Sequence, residues 1–145
     1  MDMKDEILPA STWVRDQLAE IDRTGDTASV GIQGRAIVVY SMRGRKSGAL
    51  RRVPLMRVEH NGSYAAVASK GGHSEHPEWF HNLVADPEVE VHDGTEHIKG
   101  RARIVEGEER AQWWERSVAA FPTYAEYEAK TEGLREIPVF VIDPI

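Results

Sequence analysis

The chain has no cysteine. Disulfides, thiolate nucleophiles and cysteine-ligated metals are therefore excluded. It also lacks any apolar run approaching the roughly 18 residues of a membrane span. Its opening stretch, MDMKDEILPASTW, has no basic region followed by an apolar one, so no secretory leader is read there. These absences predict a cytoplasmic protein, with peripheral contact at the inner membrane surface as the one membrane role left open. Basic residues are in deficit: 18 Lys and Arg against 24 Asp and Glu, a formal net charge of −6. A uniformly basic nucleic-acid surface is not expected from that balance. Acidic residues, in turn, are missing from Ala28 to Val58, while Arg43, Arg45, Lys46, Arg51, Arg52 and Arg57 fall within 15 residues.

A length of 145 residues suits one domain with one core, and no repeat, linker or low-complexity tract divides it. Residues 1–145 are read as a single domain with an N-terminal helix over about 9–23. Val14, Leu18 and Ile21 form its apolar stripe; Pro9 suits a first turn, and Ser11 or Thr12 suits a cap for a later start. Strands are expected over Arg35–Met42, Arg51–Glu59 and Ser63–Ser69, with a tight turn at His60-Asn61-Gly62. A short helix fits Glu78–Ala85. Alternating residues around Val89 and Val91, and again from Ile98 to Ile104, read as half-exposed strands. Helices follow over Glu108–Ala119 and after Pro122, and Ile137–Ile142 reads as a closing strand. Trp114 fits the packing face of its helix better than Trp113 does. Hairpins dominate over strand–helix alternation, which predicts a mainly β protein, a small antiparallel barrel or curled sheet with peripheral helices.

Two stretches carry chemistry. In the first, Gly44 and Gly48 bracket Arg45, Lys46 and Ser47, with Arg51 close behind. Glycines permit tight turns that bring backbone N–H groups near an anion, and the cations and hydroxyl add donors. Crowded like charges become favourable around a phosphate or carboxylate; a solvated basic hairpin tip is the plain alternative. The spacing is neither a Walker A loop nor GxGxxG. Pro54 suits an edge or irregular strand position, able to face a flat ring or simply to pack. The second stretch runs from Ala68 to Leu83. Ser69 and Lys70 offer donors, Gly71 and Gly72 permit close backbone approach, and Trp79 and Asn82 share a helix face. His73, His76 and His81 do not have metal-site spacing, so no metal is expected.

Together, GRKSG-x2-R-x2-PL and VASKGG-x3-HP-x-WF-x-NL-x3-P closely resemble the deazaflavin-dependent nitroreductase family of F420H2-dependent reductases, over almost the whole chain. The resemblance implies a split β-barrel related to FMN-binding proteins of the pyridoxamine-phosphate-oxidase type. It implies that Arg45, Lys46, Ser47, Gly48 and Arg51 hold the phosphate side of coenzyme F420, and that Pro54 and Leu55 line its deazaflavin. Ser69, Lys70 and Gly71 would approach from the next strand, with His76, Pro77, Trp79 and Asn82 completing the wall. Arg52 or Arg57 would then face the oligoglutamate tail, or stand as solvated charges. Tyr124 and Tyr127 match substrate-contacting tyrosines of that family, while Phe121 replaces a third tyrosine and Phe80 replaces another.

The implied activity is hydride transfer from reduced F420 to a small hydrophobic, electron-poor acceptor: a quinone, an enone or lactone, or a nitroaromatic. Tyr124, Tyr127 and Ser69 are the candidate catalytic side chains, as hydrogen-bond or proton donors. Three alternatives stand beside this reading: FMN in the same fold, a non-catalytic ligand carrier, and a nucleic-acid module built on the basic cluster. A homodimer is left open.

Overall fold

The computed structural model describes residues 5–145; the first four residues of the expected domain lie outside the described residues. Helix α1 spans Thr12–Thr24. The start is later than Pro9 because Ser11 is the cap, its Oγ accepting from Val14 N at 3.4 Å. Gly25, in the left-handed region, ends the helix. Strands follow at β1 (Ile37–Arg43), β2 (Leu50–Met56), β3 (Glu59–His60) and β4 (Ser63–Val67), then helix α2 (Glu78–Ala85). Strands β5 (Glu88–Asp93) and β6 (Glu96–Ile104) form a hairpin. Helices α3 (Gly107–Ala120) and α4 (Thr123–Thr131) precede the last strand, β7 (Val139–Pro144).

All seven strands belong to one antiparallel sheet in the order β2-β1-β5-β6-β7-β4-β3. Its edge strands β2 and β3 are separated in sequence only by Arg57 and Val58, so the sheet must curl until its ends nearly meet. The joint bonds both ways: Arg57 N donates to Ala36 O before β1, and Ala65 N of β4 donates to Val58 O. Across the barrel, the Tyr40 hydroxyl of β1 donates to Ala65 O of β4 at 3.1 Å. The expected single strand over 51–59 is thus two strands with a break, because this stretch leaves one end of the sheet and joins the other. This is the curled antiparallel sheet anticipated from the hairpin-rich pattern, and the split β-barrel that the family resemblance implies.

Side-chain alternation explains the core. Val38, Tyr40 and Met42 of β1 pack inward with Val91, Phe140 and Ile142, under a lid formed by Trp79 and Leu83 of α2. The opposite face of β1, Ile37 and Val39, is covered by Leu18 and Ile21 of α1. Covering on both faces is why Ala-Ile-Val-Val-Tyr is a continuous apolar run. Each such buried aliphatic side chain contributes about 1.5–3 kcal/mol of transfer free energy. A third cluster sets Trp113 of α3 against Val139 and Val141. Trp113 is therefore the buried member of the Trp pair, while Trp114 is half-buried between two clusters, reversing their expected ranking. Gly100 lets β6 lie against β7: a Cβ there would collide with Ile142 and stand 3.0 Å from Asp143 O.

Candidate cofactor and substrate cleft

The basic loop joins β1 to β2 and is a tight turn. Gly44 N donates to Ala49 O, and Gly48 N donates to Gly44 O, each at 2.8 Å. Gly48 has φ +71°, a conformation that favours glycine. Ser47 Oγ accepts from Ala49 N at 3.1 Å, so the hydroxyl shapes the turn. The loop is docked on α2: Arg45 N donates to Asn82 Oδ1 at 3.0 Å, and the Arg45 guanidinium lies 3.2 Å from Glu78.

The six clustered cations divide into paired and free groups. Arg43 pairs with Asp5 at 3.1 Å, and Arg57 with Asp93 at 2.9 Å. Arg52 is buried, with Nε on Glu6 at 2.6 Å and both terminal nitrogens on Asp22 at 2.7 and 2.9 Å. Burial alone would lower the Arg52 pKa, but its bonds to Asp22 and Glu6 more than offset this and hold it up. Arg52 and Arg57 therefore tie elements of the barrel together and are not available to a cofactor tail. Among the described residues, no ion pair involves Lys46 or Arg51. A small cleft of about 160 Å³ brings Arg51 together with the paired Arg52 and with Val53, Glu78, Trp79 and Asn82.

A second cleft, about 310 Å³, adjoins it across Trp79. Pro54, Leu55, Ser69, Lys70, Gly71, Trp79, Tyr124 and Tyr127, all singled out in the sequence, line it together with Phe121. Residues separated by more than 70 positions meet there because β2, the end of β4 and α4 surround one mouth of the barrel. Among the described residues, the hydroxyls of Ser69, Tyr124 and Tyr127 have no hydrogen-bond partner. Burial, and secondarily Tyr127, push the Tyr124 hydroxyl above the usual phenol range. It therefore remains a protonated donor at neutral pH. Phe121 meets Tyr124 edge-on, with ring centroids 5.1 Å apart.

Not every expected wall residue reaches this cleft. His76 packs on Phe80 at 4.3 Å between centroids, and its Nδ1 lies 3.0 Å from the Arg135 guanidinium. Pro77 is buried at the start of α2, where its extended backbone admits the helix. Asn82 is committed through its oxygen to the basic loop. These three support the walls instead of forming the main cleft's surface. Sequence reasoning missed Ile32 and Gln33, which line the cleft from a turn closed by the Ile32–Arg35 bridge. Gly31 and Gly34 signal that turn, but its position comes from Arg35, whose Nη1 donates to Ala120 O at 2.9 Å. A larger depression of about 540 Å³ lies along the outer side of α4. Its lining by Arg110, Glu128, Glu132 and Glu136 suits water better than a flat ring. Among the described residues, no cluster of His, Cys, Asp or Glu has the makings of a metal site.

Among the described residues, the donor set fits a ligand with an anionic end and a flat apolar body: the unpaired Arg51 at one cleft, an apolar wall with unpartnered hydroxyls at the next. Curled sheet, helical cover and this cleft pair define a split β-barrel of the FMN-binding-protein type. A sequence profile of F420H(2)-dependent quinone reductases matches residues 13–144. The F420H(2)-dependent quinone reductase Rv1261c of Mycobacterium tuberculosis is 32% identical over 102 residues, covering 68% of this chain and 67% of that one. A solved F420-H2 dependent reductase, FDR-A, is 51% identical, covering 79% of this chain and 99% of that one, with a TM-score of 0.71. A structure described as a domain-swapped dimer is 50% identical, covering 90% and 97% respectively, with a TM-score of 0.73. HutZ, a heme storage protein from Vibrio cholerae, shares only the fold, at 16% identity and TM-score 0.57, covering 88% of this chain and 89% of that one. The chain belongs to the F420H(2)-dependent quinone reductase family. Its general activity is F420H2-dependent oxidoreduction, with an F420-like cofactor. Among the described residues, no helix is long and apolar enough to cross a membrane.

Proposed function

We propose that this protein uses coenzyme F420 to reduce a small, apolar, electron-poor acceptor, with quinones ahead of enones, lactones and nitroaromatics. The observation that carries this reading is the cleft of about 310 Å³, where Ser69, Tyr124 and Tyr127 have hydroxyls without a partner among the described residues, amid Pro54, Leu55 and Phe121. Lys46 and Arg51, with Ser47, Gly48 and the Arg45 backbone turn, hold the anionic end of the cofactor. Pro54 and Leu55 line its ring system; Ser69, Lys70 and Gly71 approach from the end of β4. F420H2, when bound, supplies a hydride. Tyr124 donates a hydrogen bond to the acceptor oxygen as negative charge collects there, a contact worth more in a site that excludes water. Tyr124 or Tyr127 passes the proton, or orients the water that does. Phe121 narrows the polar repertoire of the cleft, favouring a quinone over a nitroimidazole.

A homodimer belongs to the same reading, supported by the dimer of the 50%-identical structure. The proposal places the protein in the cytoplasm, with peripheral contact at the membrane as a source of apolar acceptors. Equilibrium titration with F420 and FMN, followed by stopped-flow oxidation of F420H2, tests the proposal. Tight F420 binding and rapid oxidation by a naphthoquinone are expected. Tight FMN binding with no F420 binding overturns the cofactor assignment. F420 binding without turnover of any quinone, enone or nitroaromatic makes the protein a carrier.

A further inference from the structure

Arg135 lies outside the two sequence motifs and does not line the cleft, yet its guanidinium is bonded along the cleft's supporting loop. Nη2 donates to Ser69 O at 2.8 Å, Nη1 to Ala68 O at 3.1 Å, and Nε to His73 O at 2.9 Å. Nη1 also faces His76 Nδ1 at 3.0 Å. A guanidinium has only donors, so His76 Nδ1 must be the acceptor, with its proton on Nε2. One planar fork therefore gathers residues from 68 to 76. The loop it gathers is otherwise hard to hold: Lys70, Gly71 and Gly72 are consecutive residues with φ of +47°, +62° and +80°. On its other side the loop meets α4, where Lys130 Nζ reaches Gly71 O at 3.4 Å.

We propose that Arg135 is a positioning residue that sets the Ser69–Gly71 edge of the cleft, and that it does so only while His76 is neutral. This rests on the cofactor reading above, because the edge matters through what the cleft binds. Two groups facing His76 oppose its protonation. Arg135 is in contact, and the His81 ring of α2 lies 6.3 Å away. Nearby on the same loop, the carboxylate of Glu75 is exposed to water and acts in the opposite sense, His73 Nδ1 accepts from Glu75 N, and on α4 Lys130 reaches Gly71 O. Burial first, then Arg135 and His81, lower the His76 pKa. Above its titration the clamp is closed. Below it, two cations share one contact and the clamp opens.

The test uses the full chain with Arg135→Gln and Arg135→Lys. Lysine keeps the charge but cannot span the acceptors. Both variants are expected to weaken F420 binding by about tenfold or more at pH 8. Wild-type affinity is expected to fall as pH drops through the His76 titration, and the variants' affinity to lack that step. Variant affinities within about threefold of wild type, or full rescue by lysine, overturn the inference. In the cofactor-free wild type, nitrogen-15 spectra of the histidines are expected to show His76 as the Nε2–H tautomer at neutral pH. A proton on Nδ1 overturns the clamp even if neither variant folds. A wild type that binds no F420 defeats the cofactor reading instead; the tautomer and the amide exchange of residues 68–76 then still decide the clamp.

Discussion

Arg51 and Arg52 are neighbours in one strand, yet the pleat sends them to opposite faces with opposite fates. Substituting each with glutamine separates structure from ligand binding. Arg52 has a side chain 8% exposed; Glu6 is equally hidden at 9%, and Asp22 is 46% exposed. Removing the guanidinium lets Asp22 turn to water, so that pair costs only about 0.5–1 kcal/mol. Glu6 has no such escape. A buried carboxylate stripped of its partner costs about 2–4 kcal/mol. The sum, about 2.5–5 kcal/mol, corresponds to a melting temperature lower by about 10 °C for a chain of this size. Adding Glu6→Gln to Arg52→Gln removes the orphaned charge and restores about half of the loss. Arg51→Gln, by contrast, alters stability by no more than about 0.5 kcal/mol. It weakens F420 binding about 10- to 100-fold, the equivalent of one charge-assisted contact to an anion. Calorimetry and fluorescence titration on the three variants provide the readouts. An Arg52→Gln melting point within about 2 °C of wild type, or a loss of F420 affinity as large as that of Arg51→Gln, would refute this division of labour.

Tyr124→Phe should leave F420 affinity unchanged while lowering the rate of quinone reduction about 10- to 100-fold in single-turnover stopped flow; an unchanged rate removes the hydroxyl from the chemistry. Gly72→Ala should cost about 1–3 kcal/mol in denaturant melts, because the residue sits at φ +80° and a Cβ would lie 3.3 Å from the Tyr127 Cα. Asp93 accepts from the Tyr64 hydroxyl at 2.6 Å and from Arg57 Nε, stapling the curled sheet. Burial alone would raise its pKa, but the bonds from Arg57 and Tyr64 keep it below the usual carboxylate range. Its contribution is therefore present above the unfolded value of about 3.9 and lost as pH falls through the folded one. Asp93→Asn should be less stable than wild type at pH 7, with the gap narrowing in acid; a gap that stays constant to pH 2 contradicts the assignment.

The class of fold was legible in the chain itself, and so were most of the residues that line the cleft. Both signals are local: the glycines around Arg45, Lys46 and Ser47 create a turn whatever surrounds it, and alternation from Val89 to Ile104 specifies half-exposed strands. The two spaced motifs carried the family because their residue types serve one chemistry. Pairing was not legible. Nothing in the basic run distinguishes Arg51 from Arg52, since the partners Glu6 and Asp22 lie 46 and 30 residues away. Ile32 and Gln33 reach the cleft only because Arg35 fastens their turn to the end of α3. Arg135 is an ordinary C-terminal arginine in sequence, and His76 an ordinary motif histidine; their contact exists because α4 and the closing strand bring residues 59 positions apart together. Local backbone preference is written in neighbouring residues, whereas charge pairing and cleft lining depend on which distant segments the closed barrel makes adjacent.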